Sequence, residues 1–336
     1  MQIDYGADLA PLNTFRAPAR ASALVRLRSP GEARDLLRRP ALLARPLLIL
    51  GGGSNLLFTR DWDGLVVQPQ MLDREIVETQ GDTVTVAGGA GEDWDAFMRW
   101  TLSLGLGGLE NLALIPGTLG AAPIQNIGAY GVELRDRLLW VETLDLQAGR
   151  VERFYNADCG FAYRDSVFKR EPDRRLLTRV ALRLSRRPEL ELDYGEIRDE
   201  LAAANIVSPT AVQVANAVSA IRRRKLPDPA QVGNAGSFFR NPVVPELKAA
   251  QLLSEHPAMP QFAAYGGVKI PAGWLIEACG WKGHRSGDAG VHAGHALVLV
   301  NHGRATGSEI AALAQQIVAS VADRFGITLE PEVRIV

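Results

Sequence analysis

Between Ile115 and Gly131 the chain runs seventeen residues without a charge, and nine of them are four glycines, two prolines and three alanines. A surface loop of that length ordinarily carries Lys, Glu or Asp, and a core strand does not tolerate so much Gly and Pro. The stretch is therefore read as backbone held in defined, non-repetitive conformations. Its side chains are small enough to let something large lie against it. Backbone N–H groups then become the recognition surface, and an occupant with an apolar ring and a phosphate tail suits such a wall.

With 336 residues the chain exceeds one ordinary core, so two or three domains are expected. Hydrophobic residues make up 47% and charged residues 22%, the balance of a soluble globular protein. A formal charge of −1 gives no electrostatic case for nucleic acid or an anionic membrane as partner. Cys159 and Cys279 lie far apart without a CxxC pattern and read as reduced, buried thiols of a cytosolic protein. The N-terminus lacks the basic start and apolar core of a signal peptide, and no segment is long enough to span a bilayer. The expected location is cytoplasmic.

Leu47 to Leu50 reads as a buried strand leading into the glycine turn Gly51-Gly52-Gly53-Ser54-Asn55. Strand patterns follow at Gly64–Gln68, Glu75–Thr79 and Thr83–Ala87, the last two joined by a hairpin turn at Gln80-Gly81-Asp82. Asp93 can cap a helix with Trp94, Phe97, Thr101 and Leu104 on one stripe, stopped by Gly105. Leu139–Leu146 and Val151–Tyr155 are strands hinged at Ala148-Gly149, and Leu176–Leu184 is another. Ser208-Pro209 opens a helix that runs to Leu226, with Arg222, Arg223, Arg224 and Lys225 in its last turn. Thr306 and Glu309 form a capping box ahead of a second long helix, and Ile327–Val336 closes the chain as an alternating strand. Strands in local hairpins mixed with helices indicate an α+β fold and not a regular βαβ array.

Gly51-Gly52-Gly53-Ser54 follows a strand as a dinucleotide fingerprint would, but the third glycine, the opening helix and the acidic ribose ligand are missing. Alone it would be a tight turn. With the Ile115–Gly131 stretch it reads as one of two glycine-rich backbones clasping an extended cofactor. His292 and His295, with His284 and His302 nearby, have no third ligand in a fixed relation, so no metal site is expected and a hydrogen-bonding role is favoured. The Arg222–Lys225 cluster either complements the helix dipole or sets one or two cations against a diphosphate. Around Tyr163-Arg164-Asp165-Ser166 the plain reading is a strand-to-loop junction with Arg164 paired to an acid. Ser237 lies in Gly236-Ser237-Phe238-Phe239, without a nucleophile elbow, so a hydrolase is not supported.

Taken in order, Asn13-Thr14-Phe15, Gly51–Asn55, Gly108–Asn111, Ile115–Gly131, Tyr163–Ser166, Lys225–Pro229, Asn234–Pro242 and Glu330–Arg334 resemble the UDP-N-acetylenolpyruvoylglucosamine reductase family across nearly the whole chain. That resemblance implies an FAD-binding fold of the vanillyl-alcohol-oxidase type in two subdomains, plus a third α+β substrate-binding domain. The implied boundaries are 1–68 with the C-terminal strand 327–336, then 69–226, then 227–326. It implies FAD held by Gly51, Gly52, Gly53, Ser54 and Asn55 on one side. On the other stand Ile115, Pro116, Gly117, Thr118, Gly120, Ala121, Asn126, Ile127, Gly128 and Tyr130.

Matched position by position, the family's catalytic arginine falls on Arg164, its proton-donating serine on Ser237 and its glutamate on Glu332. Tyr163, Tyr194, Lys225, Asn241 and Arg285 fall at substrate-binding positions, with Tyr194 as the tyrosine that closes over substrate. Arg285-Ser286-Gly287-Asp288 departs from the glycine-rich pattern usual there. The implied activity is reduction of UDP-N-acetylglucosamine enolpyruvate by NADPH through FAD in a monomeric enzyme. A raised pKa is expected for Glu332, which helps beside a developing dianion only when it carries a proton. The other readings are an oxygen-using FAD sugar or lactone oxidase of the same fold, and a non-catalytic regulator that binds flavin or a nucleotide sugar.

Overall fold

Every residue after Thr83 in the strand Thr83–Gly89 is buried, and the strand lies between two others in a five-stranded antiparallel sheet. In a computed structural model describing residues 1–336, that sheet runs in the order Val151–Tyr155, Leu138–Asp145, Arg175–Ser185, Thr83–Gly89, Arg74–Gln80. The Gln80–Asp82 hairpin forms as expected, with Gly81 at φ +60°. One face of the sheet is covered by the helix Trp94–Ser103, which buries Trp94, Phe97, Met98, Thr101 and Leu102. Asp93 caps it by accepting the Ala96 N–H at 2.9 Å. Val214, Val218 and Ile221 of the helix Ala211–Lys225 join the same core.

That second helix starts two residues beyond the expected Pro209. Thr210 caps it: Gln213 donates its backbone N–H to the Thr210 hydroxyl at 3.3 Å, and the Gln213 side-chain oxygen accepts the Thr210 N–H at 2.8 Å. This reciprocal box satisfies two amides at once, and Ser208-Pro209 stays outside.

The chain separates into two compact units. The first comprises 1–7, 21–52 and 63–224. Besides the five-stranded sheet it holds a four-stranded sheet in the order Ile3–Asp8, Arg20–Leu27, Trp62–Pro69, Leu47–Ile49. Leu47 to Ile49 pair parallel to Leu65 to Val67. Val25, Leu27, Leu65 and Val67 of this sheet pack with Ala33 and Leu36 of the helix Pro30–Leu37, and with Leu144 and Leu176 of the larger sheet.

The second unit comprises 8–20, 53–62 and 225–336. Its four-stranded sheet runs Gly233–Ser237, Val298–Asn301, Ala289–Val291, Arg285–Ser286. The helix Gly307–Phe325 buries Ile310, Leu313, Ala314, Ile317, Val321 and Phe325 in that unit's core, and the Thr306–Glu309 capping box is in place. Asn301 stitches the unit's distant segments, donating from Nδ2 to the carbonyls of Phe15 at 3.0 Å and Ala305 at 3.1 Å. The C-terminal strand is shorter than expected: Arg334–Ile335 forms the strand, parallel to Leu56–Leu57, Pro331 makes an isolated bridge to Phe239, and Ile335 is exposed. Leu56–Leu57 belongs to this unit, although the sequence reading grouped it with residues 1–68. Both cysteines are free thiols, Cys159 buried and Cys279 half-buried. No helix is long and apolar enough to cross a membrane.

Candidate functional site

The two glycine-rich backbones meet inside the first unit. A Cβ built on Gly52 would come 2.9 Å from the Gly117 Cα, and one on Gly51 would come 2.9 Å from the Thr118 hydroxyl and 3.1 Å from the Ala121 Cβ. Only glycine permits that approach. Gly120 fits as closely, since a Cβ there would lie 2.5 Å from the Ala90 Cβ. Backbone bonds from Trp94 to the Gly117 carbonyl, from Leu119 to the Glu92 carbonyl and from Gly120 to the Ala90 carbonyl hold the stretch to the sheet. The backbone is left-handed at Asn126 (φ +46°) and Tyr130 (φ +49°). Asn126 sustains this from the interior: its Nδ2 donates to Glu133 at 2.8 Å and to the Ala162 carbonyl, and its Oδ1 accepts the Arg135 N–H.

Among the polar atoms of this unit buried without a hydrogen-bond partner are the Thr118 Oγ1 and the Arg222 Nε. An orphaned hydroxyl at the crossing of two glycine loops fits an anionic or polar group lying there. Arg222 is the member of the Arg222–Lys225 cluster that turns inward. Burial lowers its pKa, Tyr130 and Asp95 oppose that, and the nearby charge of Arg164 reinforces it. Two neighbouring guanidiniums suit an anionic group or an electron-rich ring edge.

Arg164 itself sits in the left-handed region at φ +55°, at the tip of a tight turn closed by the Ala162–Asp165 bridge. Its Nη2 donates to the Gly128 carbonyl at 2.7 Å, and its guanidinium lies 5.5 Å over the Tyr163 ring. Asp165 pairs with Arg170. Ser166 is buried, donating to the Ile124 carbonyl at 2.6 Å while its oxygen caps the short helix Val167–Arg170. Tyr194 is exposed and stands edge-on to Tyr130, with ring centroids 6.4 Å apart. Asn111 joins the two loops by donating to the carbonyls of Tyr130 and Glu191.

In the second unit, Ser237 ends a strand broken by a register shift after Asn234, with Gly236 at φ +68°. Asn234 fixes this bulge from a buried position, donating to the Pro227 and Val232 carbonyls and accepting the Gly236 N–H at 2.9 Å. The residue after Ser237, Phe238, accepts the Glu332 backbone N–H at 2.8 Å. Asn55 secures the other side of Glu332, donating to its carbonyl at 3.2 Å. Ser237 and Glu332 are thereby held on adjoining segments. Gly53, at φ +63°, abuts the Leu12 carbonyl, so Gly53 and Asn55 shape this unit.

Asn241 accepts the Ala272 N–H at 2.9 Å. Arg285 is exposed and engaged locally, donating to the Gly287 carbonyl and pairing with Asp288, both at 2.8 Å. Lys282, three residues earlier, instead shares an electrostatic neighbourhood with Lys225 and His295. Sequence reading passed over Lys282 because nothing local distinguishes it from a solvated lysine. No group of His, Cys, Asp or Glu residues is placed to hold a metal ion.

Comparison with known proteins accords with this geometry. Residues 21–155 match the FAD binding domain family, and residues 228–336 match the C-terminal domain of UDP-N-acetylenolpyruvoylglucosamine reductase. The reductase of that name from Chromobacterium violaceum is 52% identical over 335 residues, covering 99% of this chain and 98% of the relative. The one from Pseudomonas aeruginosa is 51% identical over 333 residues, covering 99% and 98%. A crystal structure of the Thermus caldophilus reductase superposes with a TM-score of 0.68 over 99% of this chain and 98% of its own; at 24% identity it speaks to the fold.

Proposed function

This chain belongs to the UDP-N-acetylenolpyruvoylglucosamine reductase family, and we propose that it reduces the enolpyruvyl ether of UDP-N-acetylglucosamine enolpyruvate to UDP-N-acetylmuramate at the expense of NADPH. The chain is an FAD oxidoreductase of peptidoglycan precursor synthesis. The observation that carries the finer reading is that the matched residues Ser237 and Glu332 are locked on adjoining segments by the Phe238–Glu332 hydrogen bond.

FAD, when bound, would supply the redox chemistry that links NADPH to the enolpyruvyl double bond. The residues that would hold it are Gly51, Gly52, Gly117, Thr118, Ala121 and Gly128, with Arg222 and Tyr130 beside them. An enol ether accepts hydride poorly, because its oxygen donates electrons into the double bond. Its conjugated carboxylate makes the addition feasible once the gathering negative charge is stabilised. Arg164 supplies that stabilisation with a fork matched to a carboxylate. Its preorganisation comes from the bond to Gly128 and the tight turn that aims it.

Glu332 assists in its protonated form, limiting charge on the enolate. Ser237 delivers a proton to the carbanion-like carbon, which is basic enough to take one from a hydroxyl. Tyr194, on an exposed loop, covers the substrate, and Lys225 and Asn241 take the nucleotide end. The test is NADPH consumption with and without the enolpyruvyl substrate, with product mass measured. Consumption should require that substrate and yield a product heavier by one hydride and one proton. NADPH consumption driven by oxygen alone, with the nucleotide sugar recovered unchanged, contradicts the proposal.

A further inference from the structure

Asn111 is buried on the short turn Glu110–Leu112 and reaches two segments at once. Its Nδ2 donates to the Tyr130 carbonyl at 2.8 Å and to the Glu191 carbonyl at 2.9 Å. A planar amide nitrogen carries two hydrogens at a fixed angle, so the two bonds set the spacing of the two carbonyls. The Asn111 Oδ1 is buried without a partner. Turning the amide over would bring that oxygen against both carbonyls, so its orientation is determined. An apolar side chain would avoid the orphaned oxygen; the amide is explained by the two bonds it makes.

The turn that presents Asn111 is itself anchored on both sides. The Glu110 carboxylate accepts the Gly108 N–H at 2.6 Å, and the Trp94 indole donates to the Leu112 carbonyl at 2.9 Å. The segment that bears Tyr194 is irregular by contrast. Residues 186–196 lie outside any helix or strand, with Leu190 and Leu192 packed against the core and Glu191, Asp193 and Tyr194 exposed. This segment rests on the end of the uncharged stretch. A Cβ on Gly131 would come 3.0 Å from the Glu191 Cγ and 3.4 Å from the Tyr194 Cβ, and one on Gly195 would come 3.5 Å from the Tyr130 ring. Apolar packing is non-directional and lets two loops slide, whereas a hydrogen-bonded bridge fixes their register.

We propose that Asn111 is a positioning residue for substrate capture: its amide registers the Tyr194 segment against Tyr130, so that the Tyr194 ring stands where it covers the nucleotide sugar. This rests on the functional reading above and adds to it a residue that acts through Tyr194 and not on the substrate itself. Asn111→Asp keeps the shape of the side chain but replaces the donor by a carboxylate oxygen, which has no hydrogen to give either carbonyl.

The experiment titrates the FAD-loaded proteins with UDP-N-acetylglucosamine enolpyruvate in the absence of NADPH, followed by the flavin absorbance. Asn111→Asp should bind about tenfold more weakly than the wild type, the loss expected for a broken buried bridge. Tyr194→Ala should also bind more weakly. The two changes combined should bind within about twofold of Tyr194→Ala alone, because Asn111 then has nothing left to position. Asn111→Ser, uncharged and able to donate to one carbonyl at most, repeats the cycle if Asn111→Asp does not retain FAD. Wild-type affinity in the Asn111 variant overturns the proposal. So does an additive double variant, or loss of FAD from both Asn111 variants, since either marks a structural role. Wild-type affinity in Tyr194→Ala overturns it together with the part given to Tyr194. All of these leave the reductase reading standing, whereas a wild type that does not bind the nucleotide sugar overturns both.

Discussion

Arg164 donates from Nη2 to the Gly128 carbonyl at 2.7 Å, which fastens the guanidinium to the uncharged stretch proposed as one wall of the flavin site. Arg164 holds a left-handed backbone conformation to make that contact, and a Cβ on Gly128 would lie 3.0 Å from its Nη1. Arg164→Lys keeps one positive charge but loses the planar fork. Turnover with the enolpyruvyl substrate should fall ~100-fold or more while FAD content stays at the wild-type level. Equal turnover in the two proteins, measured at saturating substrate, contradicts the assigned role.

The Gly52–Gly117 approach gives a second test. Gly52→Ala places a methyl 2.9 Å from the Gly117 Cα, where only backbone is available to yield. Overpacking of this kind costs about 1–3 kcal/mol, and here it acts on the crossing proposed to meet the cofactor. FAD affinity should drop about tenfold by equilibrium titration, with far-ultraviolet circular dichroism unchanged. Wild-type flavin affinity in this variant removes the crossing loops from the cofactor site.

The two thiols should separate cleanly. Burial, helped by Asp158, pushes the Cys159 thiol up to about 12, so at pH 8 its thiolate fraction is on the order of 10⁻⁴. Cys279 is half-buried, with its sulfur toward the Ser320 carbonyl. A chromogenic disulfide reagent on the native protein should titrate one thiol, that of Cys279, and both in denaturant. Rapid labelling of Cys159 in the native state, read by peptide mass, disagrees with the packed core described here.

Acid stability depends on Asp145. Burial alone would raise its pKa, but the N–H groups of Ala148 and Gln147 and the Arg174 guanidinium outweigh burial and hold it below the usual carboxylate value. Its contribution is complete above the unfolded-state pKa and is lost as pH falls through the folded value. Asp145→Asn should lower the urea midpoint at pH 7, and the gap from wild type should narrow at pH below about 4. A gap that stays constant with pH shows that the ionised carboxylate is not the source.

Legibility in the sequence followed the range of the interaction. The Gln80–Asp82 hairpin, the Asp93 cap and the Thr306–Glu309 box are decided by residues within a few positions, and all three form where expected. Thr210 displaced Ser208 as a cap because Gln213 completes a box that a proline signal does not reveal. The site itself depends on long-range contacts. That Glu332 lies beside Phe238, or that Lys282 and Lys225 share the surroundings of His295, follows from sheet order and helix placement. Spacing along the chain carries no trace of either. Arg285 shows the converse: a basic residue at a matched position closes on its own loop through Asp288.

The most direct measurement of the central claim is an anaerobic two-step experiment on the FAD-loaded protein. NADPH alone should bleach the flavin absorbance, and subsequent UDP-N-acetylglucosamine enolpyruvate should restore it in full with formation of UDP-N-acetylmuramate. In Ser237→Ala the bleaching step should proceed at the wild-type rate and product formation should be lost. Absorbance that returns only when oxygen is admitted, with the nucleotide sugar unchanged, would contradict the account.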